Sequence, residues 1–328
     1  MAGAFTRALS LREVGMRLSD VSSVGNITVV RDGTFDTLGF LSRPEPAMLV
    51  FVEQPRFLAS LKRVPEVSCV ITTREIAKMT GDGYGLALSE APRWAFHQIH
   101  AFLATPATAR PGRRRSSRAA GLGDGSFYWQ TFKNKIDPSA RIHPRAIVAT
   151  RNVRIGAGTV VEANAVISER CVIGAHVIIR SGAILGSAGF LSVRSGDQVE
   201  ELVHAGGVTV DDGAHILANA VVAPAIFHGS TRIGPQARIG NCACVSHNAQ
   251  VGARSYVGHG SVVCGFVHIG SDVWIGPGAT LTNNISVGDR ANVTLGAVVI
   301  RDVNAGQRVA GNFAVAHRAL LKHVATLH

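Results

Sequence analysis

The chain has 328 residues, 46% of them hydrophobic but only 6% aromatic, with 36 glycines and a formal charge of +11. That length suits two domains and a substantial core, and the composition is one of aliphatic strands and tight turns rather than a large aromatic centre. No apolar run approaches the roughly 20 residues of a membrane span, and five cysteines without a Cys-x-x-Cys spacing argue against a disulfide framework.

Residues 1–104 mix short apolar runs with helical stretches. Met1 to Leu18 carries Arg7, Arg12, Glu13 and Arg17 among its apolar residues, and no small-residue cleavage site follows a continuous apolar block. It reads as an amphipathic helix rather than a signal peptide, which implies a cytoplasmic protein. Apolar runs at Ala47–Val52, Val67–Ile71 and Gly85–Leu88 alternate with helical patterns at Leu11–Leu18, Pro55–Lys62 and Pro92–Leu103, the signature of a small α/β domain.

Residues 105–135 form a linker of different character. Arg110, Arg113, Arg114, Arg115 and Arg118 crowd a Pro/Gly/Ser-bearing stretch, and the aromatic segment Phe127-Tyr128-Trp129 follows. One reading is a solvated connection; the other is an electrostatic landing site for an acidic partner or an anionic membrane face. Nucleic acid fits poorly, because the cluster lacks interleaved aromatics and no helix-turn-helix or zinc-finger pattern accompanies it.

From residue 136 a rhythm begins. Ile136, Ile142 and Val148 are six apart; after one extra residue come Ile155, Val161, Ile167, Ile173, Ile179 and Leu185. A polar stretch from Gly189 to Gly207 interrupts, Val210, Ile216 and Val222 resume, and Ala223 to Arg232 is irregular. An aliphatic residue then recurs every six positions from Ile233 to Val299. A period of six fits neither the helical 3.6 nor simple hairpins; it fits a parallel β-helix in which three six-residue sides close one coil. Residues 18 apart then stack on neighbouring coils, and 24 aliphatic anchors at three per coil make about eight coils over 136–303. Ile and Val point inward, Gly and Asn occupy the corners, and the interruptions project as loops. Cys242 and Cys244 are expected as buried free thiols on one side of a strand. Residues 304–328 read as a tail whose short helix caps an otherwise open sheet edge.

Three local motifs carry a resemblance. Val245-Ser246-His247-Asn248-Ala249-Gln250-Val251-Gly252, Phe51-Val52-Glu53-Gln54-Pro55-Arg56-Phe57 and Gly186-Ser187-Ala188-Gly189-Phe190 are similar to segments of the hexapeptide-repeat acyltransferases. Within that family they resemble most the branch that N-acylates UDP-3-O-acylglucosamine in lipid A synthesis. The resemblance implies a mainly β protein: a left-handed parallel β-helix of hexapeptide repeats, a small N-terminal α/β domain and a short C-terminal helix, assembled as a homotrimer. It implies transfer of an acyl group from a pantetheine thioester, on acyl carrier protein or coenzyme A, to the amine of a UDP-amino sugar, with no permanently bound cofactor and no metal. Acyl carrier protein would then be the acidic partner for Arg113, Arg114 and Arg115.

The same resemblance assigns roles. His247 is the general base, and Gly265, 18 residues on, offers its backbone N–H to the developing oxyanion. Phe51, Gln54 and Phe57 hold the uracil; Phe190, Asn248 and Asn284 complete the substrate-facing set. His228, in the irregular stretch, and His259, two residues after an anchor, are further candidates for ligand contact, against the plainer reading of surface histidines.

Departures from the family pattern are specific. Gly240 stands where an Asp usually orients the histidine, Ala223-Pro224 replaces an Asp-Arg, and Gln54 and Phe57 replace an Asn and a Tyr at the uracil. The segments Val303–Gly306 and Ala310–Ala314 look as much like the ends of sugar acetyltransferases. An acetyl-CoA-dependent sugar N- or O-acetyltransferase and a catalytically silent sugar-nucleotide-binding β-helix are the alternatives. A zinc β-helix is disfavoured, because no His pair shows that family's offset.

Overall fold

A computed structural model describes residues 15–105 and 131–311, with residues 318, 325 and 326. The arginine cluster, the Phe127–Trp129 segment, most of the Met1–Leu18 stretch and the expected C-terminal helix lie outside the described residues.

The N-terminal part is a five-stranded sheet in the order Thr28–Arg31, Gly85–Leu88, Val67–Thr72, Met48–Val52, Thr37–Leu38, parallel except for the first pairing. Val67–Thr72 is central and buried almost throughout, which is why its sequence is a near-continuous apolar run rather than an alternation. The first described helix is Leu18–Gly25, not Leu11–Leu18, because Met16–Arg17 pairs as a strand with Thr34–Phe35. A helix at Arg74–Thr80 has no counterpart in the sequence reading; Thr73 caps it by accepting the Ile76 N–H at 3.4 Å. Helix Pro92–Ala104 starts on its proline and buries Phe96, Ile99 and Leu103 against the sheet.

The rest is a parallel β-helix of three sheets. Sheet one has eight strands from Lys135–Ile136 to Ser286–Val287, sheet two nine from Arg141–Ile142 to Arg308–Val309, and sheet three eight from Ile147–Val148 to Val298–Val299. Register is the six-residue rhythm made physical: Ile239 pairs with Val257, Val257 with Ile275 and Ile275 with Val293. The anchors Ile155 to Leu281 are almost wholly buried, and alanines such as Ala165, Ala183, Ala220 and Ala243 fill the narrow space between them. Each buried Val, Ile or Leu contributes roughly 1.5–3 kcal/mol, so the core is a long sum of modest terms.

Corners turn through a left-handed residue. Gln236, Cys242, Asn248, Arg254, Gly260, Phe266, Asp272, Gly278, Asn284, Arg290 and Gly296 all have φ between 57° and 69°. Cys242 is therefore an exposed corner residue, and Cys244 is half-buried on a strand; the expectation of two buried thiols side by side fails because the turn separates them.

Every departure from the rhythm falls on the edge between sheets three and one. The extra residue after Val148 lies there. So does the segment between Ile184–Leu185 and Gly207–Val210, which folds as an antiparallel hairpin of Ser192–Ser195 and Gln198–Glu201. The irregular stretch between Val221–Val222 and Ser230–Ile233 lies there too. The hairpin docks on helix Pro92–Ala104: the Nε2 of buried His97 sits 3.0 Å from Glu200 Oε2, Gln98 donates to the same oxygen at 3.0 Å, and His100 Nε2 meets the Val203 carbonyl at 2.7 Å. Below it Phe40, Phe51, Phe96, Phe227 and Phe266 form a continuous aromatic cluster between the N-terminal sheet and the coils. Arg43 adds a polar link, donating to the Phe266 carbonyl at 2.8 Å.

Candidate active site

On the elaborated edge, His247, Gly265 and Asn283 occupy one column on three successive coils. The imidazole of His247 lies so close over Gly265 that a Cβ there would collide with Cε1, Nε2 and Nδ1 of the ring. Only glycine fits beneath it. The Gly265 N–H donates to Asn283 Oδ1 at 2.9 Å, so the donor that the resemblance assigns to an oxyanion is engaged by an amide.

His247 is held by packing rather than by a carboxylate. Phe266 meets its ring at a centroid distance of 5.2 Å and an angle of 75°, and His204 meets it at 5.7 Å and 60°. Phe266 does this from a left-handed corner (φ 60°), the conformation that each turn of the coil repeats. The His247 Nδ1 is buried with no partner at hydrogen-bonding geometry. No Asp can stand behind it at position 240, because a Cβ on Gly240 would run into the backbone of Gly258 and His259 on the next coil. Burial pushes the His247 imidazole down to about 4, the nearby His204 adds to this, and the Asn248 side chain opposes both.

His204 is absent from the sequence reading. It comes from the chain end of the inserted hairpin, donates from Nδ1 to the Leu202 carbonyl at 3.0 Å, and keeps its Nε2 buried without a partner. Burial lowers its pKa as well. Gly189, from the start of the same insertion, packs against both rings: a Cβ on it would lie 3.3 Å from His204 Nε2 and 3.8 Å from His247 Cδ2.

A cavity of about 400 Å³ opens beside His247, lined by Phe51, Gln54, Phe57, Phe266, Asn283 and Asn284 among others. Five residues picked from the sequence thus share one space, although Phe51 comes from the N-terminal sheet and Gln54 and Phe57 from the helical turn that follows it. Arg93, also in the wall, anchors to Glu53 through two hydrogen bonds (2.9 and 3.1 Å) and places its guanidinium 5.3 Å from the Phe51 ring; Arg56 stands 4.9 Å over Phe57. Aromatic faces with adjacent cations suit a planar base joined to phosphates.

Other candidates lie elsewhere. The side chain of Phe190 is fully exposed and turned away; its neighbour Leu191 lines the cavity instead. Asn248 spends its Oδ1 on the Ile226 N–H (2.9 Å) and its own N–H on Thr231 Oγ1 (2.8 Å), so it pins the irregular stretch rather than facing a ligand. His259 sits at a different corner and accepts the Asn241 N–H at 2.8 Å. His228 is half-buried within the irregular stretch and does not line the cavity. Among the described residues no helix is long and apolar enough to cross a membrane, and no group of three or more His, Cys, Asp or Glu is placed to hold a metal.

Residues 152–187 match the family described as bacterial transferase hexapeptide (six repeats). The UDP-3-O-acylglucosamine N-acyltransferase of Maricaulis maris (strain MCS10) is 38% identical over 72 residues, 22% of this chain and 20% of that relative, so the matched stretch spans about one fifth of its length. Among solved structures, a UDP-N-acetylglucosamine acyltransferase from Campylobacter jejuni overlaps 54% of this chain and 72% of its own at 22% identity and a TM-score of 0.43. That of Francisella novicida overlaps 57% and 73% at 18% identity and a TM-score of 0.42. The chain carries the hexapeptide repeat of bacterial transferases, in line with the resemblance read in its sequence.

Proposed function

We propose that the protein is an N-acyltransferase that moves an acyl group from a pantetheine thioester to the amine of a UDP-amino sugar. The observation that carries the reading is the single cavity joining Phe51, Gln54 and Phe57 to His247. The aromatic faces would take the uracil, Arg56 and Arg93 the diphosphate, and the sugar amine would reach the imidazole.

In this reading the amine nitrogen attacks the thioester carbonyl, a C–N bond forms, and the carbonyl oxygen becomes an oxyanion. The nitrogen of that adduct carries a positive charge, is more acidic than a free ammonium, and must lose a proton for the amide to form. His247, neutral above about pH 4, is in the form that accepts that proton. The Gly265 N–H stabilises the oxyanion. The C–S bond then breaks, and the leaving thiolate recovers the proton from the imidazolium. The pantetheine carrier is a co-substrate, and a trimer would supply the neighbouring wall along which its arm lies.

The test is a two-way panel: UDP-amino sugars against long-chain acyl carrier protein, long-chain acyl-CoA and acetyl-CoA, followed by product mass. Amide formation that His247→Ala lowers by roughly 10²–10⁴-fold supports the reading. Turnover of acetyl-CoA alone replaces it with the acetyltransferase alternative, and nucleotide-sugar binding without turnover replaces it with a silent binding β-helix.

A further inference from the structure

Corner N–H groups in this β-helix are repeatedly capped by a side chain one coil away. The Ser271 N–H donates to Asp289 Oδ1 at 2.8 Å, and the Asn241 N–H to His259 Nδ1 at 2.8 Å. The Gly265 N–H follows the same habit with Asn283 Oδ1 at 2.9 Å. Two things set this instance apart. Its cap is an amide carbonyl oxygen, where the Ser271 corner uses a carboxylate and the Asn241 corner an imidazole nitrogen, and charge-assisted bonds are roughly twice as strong as neutral ones. It also stands in the cavity wall directly beside the base, with the Asn283 side chain exposed.

We infer that Asn283 is a displaceable cap: its amide oxygen occupies the oxyanion donor of the resting enzyme, and the thioester carbonyl oxygen of the incoming acyl donor takes its place. The inference rests on the acyl-transfer reading above. The two acceptors are of the same kind, a carbonyl oxygen offered to one backbone N–H, so exchange replaces one hydrogen bond by another and leaves no buried donor unpaired. A permanent carboxylate cap would hold the donor against the weaker carbonyl of a thioester; an apolar residue would leave the N–H to water between turnovers. Asn283 is thus a positioning residue that sets the affinity for the acyl thioester, not a catalytic group.

The test compares Asn283→Ala and Asn283→Asp with the wild-type chain, using acyl carrier protein and acyl-CoA thioesters at saturating UDP-amino sugar. Asn283→Ala should lower the KM for the thioester by roughly 2- to 10-fold, the worth of one neutral hydrogen bond, with the acceptor KM unchanged. Asn283→Asp should raise the thioester KM at neutral pH, and the rise should ease as the carboxylate protonates. A thioester KM that is unchanged or raised in a folded Asn283→Ala variant overturns the cap, as does an Asp variant with wild-type KM. No turnover by the wild-type enzyme overturns the acyl-transfer reading and the cap with it.

Discussion

The imidazole of His204 stands 5.7 Å from that of His247, at an interplanar angle of 60°, and both rings carry a buried nitrogen without a partner. Two imidazoles in this arrangement oppose each other's protonation, and the apolar surround of Phe266 and Leu202 opposes both. The base is kept neutral by exclusion rather than by a carboxylate.

A pH–rate profile should show this directly. The acid limb of kcat/KM should fall near pH 4 rather than near 6.5, since His247 is pushed down to about 4. In His204→Ala the like-charge neighbour goes and water enters, so both effects move the limb upward toward 6.5. An unmoved limb in a folded variant would dissociate His204 from the base.

Gly265→Ala should lower turnover on the order of 10²-fold while the fold persists. The new methyl group must push the His247 ring off the coil surface, and a displacement of about 1 Å at a reacting group costs on the order of 10²-fold. Activity within a factor of about two of wild type, with an intact far-ultraviolet spectrum, would mean that His247 does not work from this position.

Asn248→Ala bears on stability more than on chemistry. The substitution removes the acceptor for the Ile226 N–H and puts an alanine into a left-handed corner at φ 60°. A loss of about 1–3 kcal/mol in denaturant unfolding is expected, with the cavity side chains unmoved and substrate KM values within a few-fold.

Glu200→Ala should loosen the inserted hairpin from the N-terminal helix. It deletes the acceptor shared by His97 and Gln98 and leaves the 2%-exposed His97 side chain unpaired at Nε2. Hydrogen exchange should accelerate across residues 192–201 and in helix Pro92–Ala104, while strands such as Ile239 and Val257 keep their protection. Uniform acceleration would show instead that the hairpin and the coils open together.

The coil and its register were legible because the rhythm repeats the same inward demand two dozen times, and an offset of 18 placed His247 over Gly265 without coordinates. The same offset carried once more would have reached Asn283. His204 was not legible: it arrives through an insertion with no fixed phase to the repeat, and only the folded hairpin brings it back to the column. Arg93 was hidden for a similar reason, since its helix meets Phe51 through tertiary packing. Phe190 sits in a motif that resembles a substrate-facing one, yet its backbone turns it to solvent and gives the place to Leu191. Gly240 carried its explanation in the next coil, whose backbone fills the volume that an Asp would need.

The confinement of every insertion to one edge divides the molecule by tolerance. Two edges keep the six-residue count without interruption. The third edge absorbs the departures: the segment 189–206 leaves and rejoins the coils with their phase intact, and it carries His204 to the base and Glu200 to the N-terminal helix. Variation in length is therefore confined to one line of the molecule, and that line is the one that reaches His247.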